Sequence, residues 1–221
     1  MNVLDKLISR YDIKAAIFDL DGTLIDNNHY HMLTWKKYLE RMGRTFSMEE
    51  FNANMNGRTN KNSLEYLYQR KMTDEEAMPL TLEKEAMYRE IYQPYIKPIP
   101  GLMDVLEQLA ELKIPMAIAT SGIEVNINFM FENIPIKPYF KYVVDSSHIS
   151  KGKPDPEIYL KSASLLRVDT DNCLVFEDAV VGIQSAKGAG MKVVVLTTTH
   201  VKEELNDADL MIDSYLDLLK D

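Results

Sequence analysis

The chain has 221 residues, of which 46% are hydrophobic, and 25 basic and 34 acidic side chains give it a formal net charge of -9. This length is enough for one sizeable core with room for a small second unit. The acidic balance argues against a nucleic-acid partner, because phosphate backbones are bound by clustered Lys and Arg side chains.

The cysteine content and the distribution of apolar residues predict where the protein works. The single cysteine, Cys173, lies in an apolar run, so no disulfide is possible within one chain, as is typical of a reducing compartment. Residues 1–16 carry charges throughout, and nowhere do about 18 apolar residues follow one another. We therefore expect a soluble, cytoplasmic protein without a membrane partner, present as a monomer or a weak homodimer.

Short apolar runs that end at polar or acidic residues predict buried parallel strands. They are Ala15–Phe18, Met116–Ala119, Tyr142–Val144, Cys173–Phe176 and Val193–Leu196. Between them, helical apolar spacing occurs in residues 102–112 and 158–166. This alternation predicts an α/β fold with a doubly wound, Rossmann-like parallel sheet, whose functional residues should cluster at the carboxyl ends of the strands.

Residues 27–97 interrupt the alternation, because they hold several helix-like segments and no convincing strand. We predict a helical cap domain over 27–97, inserted into a core domain formed by 1–26 and 98–221. Pro94, Pro98 and Pro100, followed by Gly101, mark the far end of the insert, since such a cluster interrupts helices and suits a hinge.

Two carboxylates, Asp19 and Asp21, follow the first predicted strand and precede Gly22. Within a strand they would share a face. If the chain leaves the strand there, Gly22 permits a tight turn and both carboxylates can flank one phosphorus atom. One carboxylate could then attack a phosphoryl group while the other moves protons. The alternative is an Asp pair that only caps a turn.

Polar residues also follow the second and third predicted strands. Ser121 and Gly122 could hold phosphate oxygens through a hydroxyl and backbone N–H groups, although Ser-Gly is also an ordinary turn signal. Lys153 lies in a loop that Pro154 and Pro156 stiffen, where it could neutralise a nucleophile and developing phosphoryl charge. The alternative for Lys153 is a solvated loop lysine.

Two acidic residues, Glu177 and Asp178, follow the fourth predicted strand. Carboxylate oxygens suit Mg²⁺, which prefers them, together with water and substrate phosphate, over soft ligands. The sequence therefore offers a candidate magnesium site at the same edge of the predicted sheet.

Taken together, the four motifs in this order resemble the haloacid dehalogenase superfamily over nearly the whole chain. The resemblance implies that Asp19 is the nucleophile, Asp21 the acid and base, Ser121 a phosphate ligand and Lys153 the charge-balancing lysine. Dehalogenases of this superfamily lack the second aspartate of the first motif, so Asp21 argues for phosphoryl chemistry.

The resemblance also implies a magnesium site. Its ligands would be the carboxylates of Asp19 and Asp178 together with the backbone carbonyl of Asp21. Glu177 would be either a direct or a water-mediated ligand.

The position of the insert resembles the helical cap of the subgroup that includes beta-phosphoglucomutase and phosphoglycolate-phosphatase-like enzymes. Such a cap excludes water and selects substrate by moving. Residues 30–35 resemble the mutase segment in which the histidine at the His31 position touches the acid and base region. The alternative is that His31 and Trp35 pack at i and i+4 on one helix face, and packing is our expectation for Trp35.

Residues 56–60, Asn56-Gly57-Arg58-Thr59-Asn60, resemble the substrate loop of this cap, where Arg58 would meet an anionic group. The alternative is a surface turn. By spacing, the phosphate-holding arginine of a mutase falls at Asn60 and its cap lysine at Tyr88. The missing charges favour a phosphatase, with Lys61, Lys84 or Arg58 as possible substitutes.

The leading hypothesis is a Mg²⁺-dependent phosphatase that hydrolyses a small phosphorylated metabolite through an aspartyl phosphate. A mutase of the beta-phosphoglucomutase type is the alternative, because it uses the same intermediate and returns the phosphoryl group to a sugar. A third hypothesis is a non-catalytic phosphate-binding module. It is disfavoured, because every residue that the chemistry needs is present.

Overall fold

The computed structural model describes residues 1–55 and 58–221, and the chain forms two compact units. We call Met1–Asp26 with Lys97–Asp221 the core unit, and Asn27–Ile96 the helical unit. Asn56 and Gly57 of the predicted substrate loop lie outside the described residues. The function of the helical unit as a cap stays a prediction.

The strands all belong to the core unit and include the five predicted from the sequence. They are β1 (Ala15–Phe18), β2 (Met116–Ala119), β3 (Phe140–Val144), β4 (Cys173–Glu177), β5 (Lys192–Leu196) and β6 (Leu210–Ile212). The described α-helices are α1 (Val3–Tyr11), α2 (Asn28–Arg41), α3 (Met48–Asn54), α4 (Asn60–Tyr68), α5 (Asp74–Tyr92), α6 (Leu102–Glu111), α7 (Glu124–Asn133), α8 (Glu157–Leu166) and α9 (Val180–Gly188). Short 3-10 helices cover Lys137–Tyr139, Ser146–His148, Thr170–Asn172, Lys202–Glu204 and Tyr215–Leu219. None of the described helices combines the length and the apolar character needed to cross a bilayer.

The six strands form one parallel sheet in the order β3-β2-β1-β4-β5-β6, which confirms the predicted doubly wound α/β fold. The chain builds one half of the sheet outward from β1 and then crosses to β4 on the other side of β1. In such sheets the crevice at this switch point, at the carboxyl ends of the strands, is where ligands bind. The sequence did not predict β6, which has only three residues and pairs with β5 alone.

Both faces of the central strands are buried, which explains their continuous apolar runs. On one face, Ile17 and Val175 share a core cluster with Ile158 of α8 and Ile183 of α9. On the other face, the neighbouring residues of β1 and β4 are aromatic, and the rings of Phe18 and Phe176 stack with their centroids 4.5 Å apart. β1 and β4 pair directly as parallel strands, and their two faces are covered by helices on one side and by aromatic rings on the other.

The helical unit has a core of its own, around Trp35, Leu39, Phe51 and Leu64. Its described residues form helices and no strand of the sheet, as predicted. Trp35 is buried against Tyr38 and confirms the expectation that it packs.

The first turn of α5 begins with a capping box, in which two side chains bond to each other's backbone N–H groups. The Thr73 side chain accepts from the Glu76 N–H, and the Glu76 side chain accepts from the Thr73 N–H.

Cys173 gives a direct probe of core integrity. Its side chain is fully buried, its thiol donates to the Asp169 carbonyl 3.4 Å away, and burial raises its pKa to about 12. Because only the thiolate reacts, we expect native protein at neutral pH to resist a disulfide reagent and unfolded protein to react with one thiol per chain. A spectrophotometric thiol assay with and without guanidinium chloride checks this. Rapid stoichiometric labelling of the native protein would contradict it.

Candidate active site

The chain leaves the sheet directly after β1 and turns sharply. The Asp19 N–H still donates to the Phe176 carbonyl of β4, at 2.9 Å. Gly22 then adopts the left-handed region at φ 74°, and its N–H donates to the Ile25 carbonyl at 2.8 Å. Most side chains disfavour that φ, so the glycine makes the turn possible. Asp19 and Asp21 therefore lie where the chain leaves β1, directly before the Gly22 turn, and whether they carry the chemistry stays a prediction.

The second motif lies beside Asp21. A β-carbon placed on Gly122 would be 3.5 Å from Asp21 Oδ2, so the backbone after β2 reaches this carboxylate. Ser121 is exposed, whereas the Gly122 N–H donates to the Thr120 hydroxyl at 2.9 Å within its own turn. The structure thus brings Asp21 and the Ser121–Gly122 turn together, and the phosphate-binding role of that turn stays a prediction.

Lys153 is a buried ammonium with three acceptors. Its Nζ lies 2.6 Å from Asp19 Oδ1, 2.6 Å from Glu177 Oε1 and 3.1 Å from the Ala119 carbonyl oxygen. These partners match the three N–H donors of a lysine. The Lys153 side chain is 7% exposed, which rules out the alternative of a solvated loop lysine.

Glu177 is held by four donors, two on each carboxylate oxygen. Oε1 accepts from Lys153 Nζ and from the Tyr159 hydroxyl, each at 2.6 Å. Oε2 accepts from the backbone N–H groups of Asp178 at 2.9 Å and Ala179 at 3.2 Å. A carboxylate offers about four acceptor positions, so these contacts use them all.

Asp178 lies beside Asp19 and Glu177 and is buried. Each of the three acids presents an oxygen within 4.8 Å of the others. Asp178 Oδ2 also accepts a hydrogen bond from the Thr199 hydroxyl. The predicted site residues of the first, third and fourth motifs are thereby brought together.

Sequence reasoning missed Tyr159, Thr198 and Thr199. The Thr198 hydroxyl donates to the Gly22 carbonyl at 2.6 Å and so fixes the turn after β1. The two threonines follow β5, whose carboxyl end meets the same edge of the sheet as β4, so their position could have been inferred from the strand prediction. Tyr159 lies within α8, where only the fold reveals its partner.

The electrostatics of the site show a surplus of negative charge. Burial raises the pKa of Asp19 to about 7, against the lowering effect of Lys153. Burial and the neighbouring Glu177 carboxylate raise the pKa of Asp178 well above its usual value. Burial alone would lower the pKa of Lys153, but Asp19 and Glu177 outweigh it and hold that pKa well above its usual range. One ammonium thus faces more carboxylates than it can neutralise.

A divalent cation with oxygen ligands fits this set of donors, because it would offset the surplus charge. Asp19 and Asp178 are the acids suited to hold it. Glu177 is less suited, because its oxygens already accept four hydrogen bonds.

Within the helical unit, the half-buried His31 belongs to a polar cluster with the buried Lys84 and Glu85. Its Nδ1 lies 3.1 Å from Lys84 Nζ, and its ring stacks on Tyr88 with the centroids 4.0 Å apart. Lys84 Nζ also donates to Glu85 Oε1 at 2.8 Å, and Asn60 Nδ2 donates to the same oxygen at 2.8 Å. His31 thus packs in its own unit and also makes polar contacts there, while its predicted substrate contact stays a prediction.

Arg58 is exposed and donates to the Ala53 carbonyl oxygen at 2.9 Å. Lys61 is paired with Asp74 at 2.7 Å. Arg58, which belongs to the described part of the predicted substrate loop, therefore bonds within the helical unit. The substrate role of Arg58 stays a prediction.

Comparison with known proteins identifies the family. The haloacid dehalogenase-like hydrolase family matches residues 16–196. The chain therefore belongs to this family and is an enzyme of it, which confirms the resemblance carried by the four motifs.

Three relatives illustrate the range of the family. The chain is 31% identical to validoxylamine A 7'-phosphate phosphatase from Streptomyces hygroscopicus, over 90% of this chain and 92% of that protein. It is 33% identical to beta-phosphoglucomutase from Bacillus subtilis, over 81% of each chain. A crystal structure of a HAD hydrolase, family IA, variant 3, from Entamoeba histolytica matches with a TM-score of 0.86 and 33% identity, covering 92% of this chain and 94% of that one.

Two glycines of α9 should respond to alanine with opposite signs. A β-carbon on Gly182 would lie 1.9 Å from the carboxyl carbon of Glu177, whereas on Gly188 it would contact Pro156 at an ordinary 3.6 Å. We expect Gly182→Ala to destabilise the protein by about 1–3 kcal/mol through overpacking. Gly188→Ala should stabilise it by up to about 1 kcal/mol through helix propensity. Urea denaturation gives the free energy of unfolding of both variants. A Gly182→Ala protein as stable as wild type would contradict the close packing of Gly182 against Glu177.

The ion pair between Lys84 and Glu85 should behave as a unit. Both side chains are 3% exposed, so Glu85→Leu leaves a buried ammonium without its carboxylate. We expect a loss of about 3–5 kcal/mol for that variant, and a smaller loss when Lys84→Met is added. Urea denaturation of the two single variants and the double variant gives the coupling. Additive losses would contradict this expectation.

Proposed function

We propose that this chain is a Mg²⁺-dependent phosphatase that hydrolyses small phosphorylated metabolites, with Asp19 as its nucleophile. The observation that carries the proposal is the Asp19 carboxylate itself. It lies at the switch point of the sheet, is 7% exposed and bonds to Lys153 at 2.6 Å. A buried carboxylate held by an ammonium group is oriented for attack on an anionic phosphoryl group, which it could not approach without charge compensation.

The proposed reaction has two chemical steps, and the residues assigned to them all belong to the core unit. In the first, an Asp19 oxygen bonds to phosphorus as the bond to the leaving oxygen breaks, and Asp21 gives that oxygen a proton. In the second, water attacks the same phosphorus, Asp21 takes a proton from the water, and the bond from phosphorus to Asp19 breaks. Lys153 offsets charge on Asp19 throughout, and Ser121 with Gly122 binds phosphate oxygens beside Asp21.

The proposed metal is Mg²⁺, held by the carboxylates of Asp19 and Asp178 with the backbone carbonyl of Asp21. When bound, it supplies charge neutralisation for the phosphoryl oxygens and orients them. The surplus of buried carboxylates supports this assignment, because the pKa values of Asp19 and Asp178 are both raised without a cation.

The phosphatase in Streptomyces and the mutase in Bacillus are both similar to this chain, so the final acceptor has to be decided from the residues. A mutase has to hold a second phosphate. The three candidate cations of the helical unit are each engaged within it: Lys84 by Glu85, Lys61 by Asp74, and Arg58 by the Ala53 carbonyl. This favours water as the acceptor and therefore a phosphatase.

Phosphate release tests the proposal directly. Purified protein with Mg²⁺ is assayed against sugar phosphates, polyol phosphates, phosphoglycolate, nucleotides and pyrophosphate, with coupled detection of glucose 6-phosphate from beta-glucose 1-phosphate. We expect release of phosphate from at least one sugar or polyol phosphate, its loss on chelation and its return with added Mg²⁺. Rapid isomerisation with little release would identify a mutase instead.

Asp19→Asn tests the nucleophile. Because the amide cannot form an acyl phosphate, we expect turnover to fall by more than about 1,000-fold while the fold is retained. Asp104→Asn, at the exposed first turn of α6, is the matched control and should keep wild-type turnover. Steady-state rates and melting temperatures of the three proteins are compared. Undiminished turnover by a folded Asp19→Asn protein would exclude Asp19 as nucleophile.

A further inference from the structure

Tyr159 contacts both Glu177 and Lys153, and Lys153 in turn bonds to the proposed nucleophile Asp19. It lies in α8 and is fully buried. Its hydroxyl donates to Glu177 Oε1 at 2.6 Å, and Lys153 Nζ lies 5.1 Å from the centre of its ring. One side chain therefore contacts the anchor of the lysine by a hydrogen bond and the lysine itself through the face of an aromatic ring.

Hydrogen bonds from the backbone and from Tyr159 fix Glu177, and Glu177 in turn holds Lys153. Two backbone N–H groups, of Asp178 and Ala179, fix Glu177 Oε2 from one side. The Tyr159 hydroxyl fixes Oε1, which also accepts from Lys153. Without the tyrosine hydroxyl, Oε1 would keep a single hydrogen-bond donor, the Lys153 ammonium, which is shared with Asp19 and the Ala119 carbonyl. Glu177 would then be fixed through Oε2 alone, and Oε1 would hold the ammonium less firmly in place.

We propose that Tyr159 is a positioning residue, which fixes Glu177 so that Lys153 stays on Asp19, and that Glu177 serves as the anchor of Lys153 and not as a metal ligand. This inference rests on the proposed phosphatase function. It assigns Tyr159 no contact with substrate, so its effect reaches the reaction through two other side chains. Removing the hydroxyl should therefore lower the rate of the chemical step and leave substrate binding nearly unchanged.

The test compares Tyr159→Phe with Tyr215→Phe. Tyr215 is also fully buried in the core unit, but its hydroxyl has no hydrogen-bond partner there. Both variants lose one buried hydroxyl, and only one of them loses a contact. At saturating Mg²⁺ we expect kcat of Tyr159→Phe to fall about 10-fold with KM within about 2-fold, and Tyr215→Phe to match wild type in both constants.

Beryllium fluoride adds a readout without turnover, because with Mg²⁺ it forms a mimic of an acyl phosphate on a carboxylate. Its dissociation constant, followed by ¹⁹F NMR, should rise about 10-fold in Tyr159→Phe and stay at the wild-type value in Tyr215→Phe. Calorimetric binding of Mg²⁺ alone should be unchanged within about 3-fold in Tyr159→Phe, since Glu177 is not assigned to the metal. Glu177→Gln is the second variant, with a kcat at least as low as that of Tyr159→Phe.

The outcomes separate two failures. If wild-type protein releases phosphate and binds beryllium fluoride while Tyr159→Phe equals it in both, the positioning role is wrong and the phosphatase stands. A Tyr159→Phe protein that loses Mg²⁺ affinity 10-fold, or a fully active Glu177→Gln protein, would also overturn the inference. A wild-type protein that neither releases phosphate nor binds beryllium fluoride would overturn the proposed function, and this inference with it.

Discussion

The buried ammonium of Lys153 is the contact on which the site depends. Its three acceptors come from the ends of three neighbouring strands: Asp19 after β1, the Ala119 carbonyl at the end of β2 and Glu177 at the end of β4. The loop before α8 is thereby tied to the carboxyl edge of the sheet at its switch point. Burying an ammonium costs free energy unless partners replace its water, and here each N–H has one.

The same ammonium cannot balance all the acids around it. Glu177 is compensated by four donors, and its pKa is lowered because Lys153 and its other hydrogen-bond donors outweigh burial. Asp19 and Asp178 are left with raised pKa values, and burial is the main cause of both. A cation bound beside Asp19 and Asp178 would offset this surplus of negative charge and would favour the ionised form of Asp19.

The sequence was sufficient for most of the fold, because each buried strand is a short apolar run and the runs alternate with helical spacing. It failed at β6, where Leu210–Ile212 is too short for a periodic signal and gains its identity from pairing with β5. Four strand-end motifs predicted the site, since parallel strands end at one edge. Tyr159 was beyond such reasoning, because a tyrosine at an apolar helix position has the same pattern whether or not its hydroxyl meets a carboxylate 18 residues away.

In the helical unit, the structure adds a contact that spacing alone does not predict. Counting back from Gly101 placed the cap lysine of a mutase at Tyr88, yet Lys84 lies one turn earlier on the same helix, with its Nζ 5.8 Å from the Tyr88 ring. Residues four apart share a helix face, so Lys84 lies on the same face of α5 as the counted position. What the count cannot reveal is that Lys84 is neutralised by Glu85.

The position of Glu177 shows how backbone geometry can decide the role of a side chain. Its Oε2 accepts from the N–H groups of residues 178 and 179, directly before α9 begins at Val180, and the partial positive charge of that helix end favours a carboxylate. The carboxylate fits there only because Gly182 has no side chain, as a β-carbon would lie 1.9 Å from it. The N-terminus of α9 and the space beside Gly182 thus place Glu177 next to Lys153, whereas Asp178, one residue later, lies beside Asp19. Neighbouring acids in one short motif thereby acquire different partners, and the difference follows from where the strand ends and the helix starts.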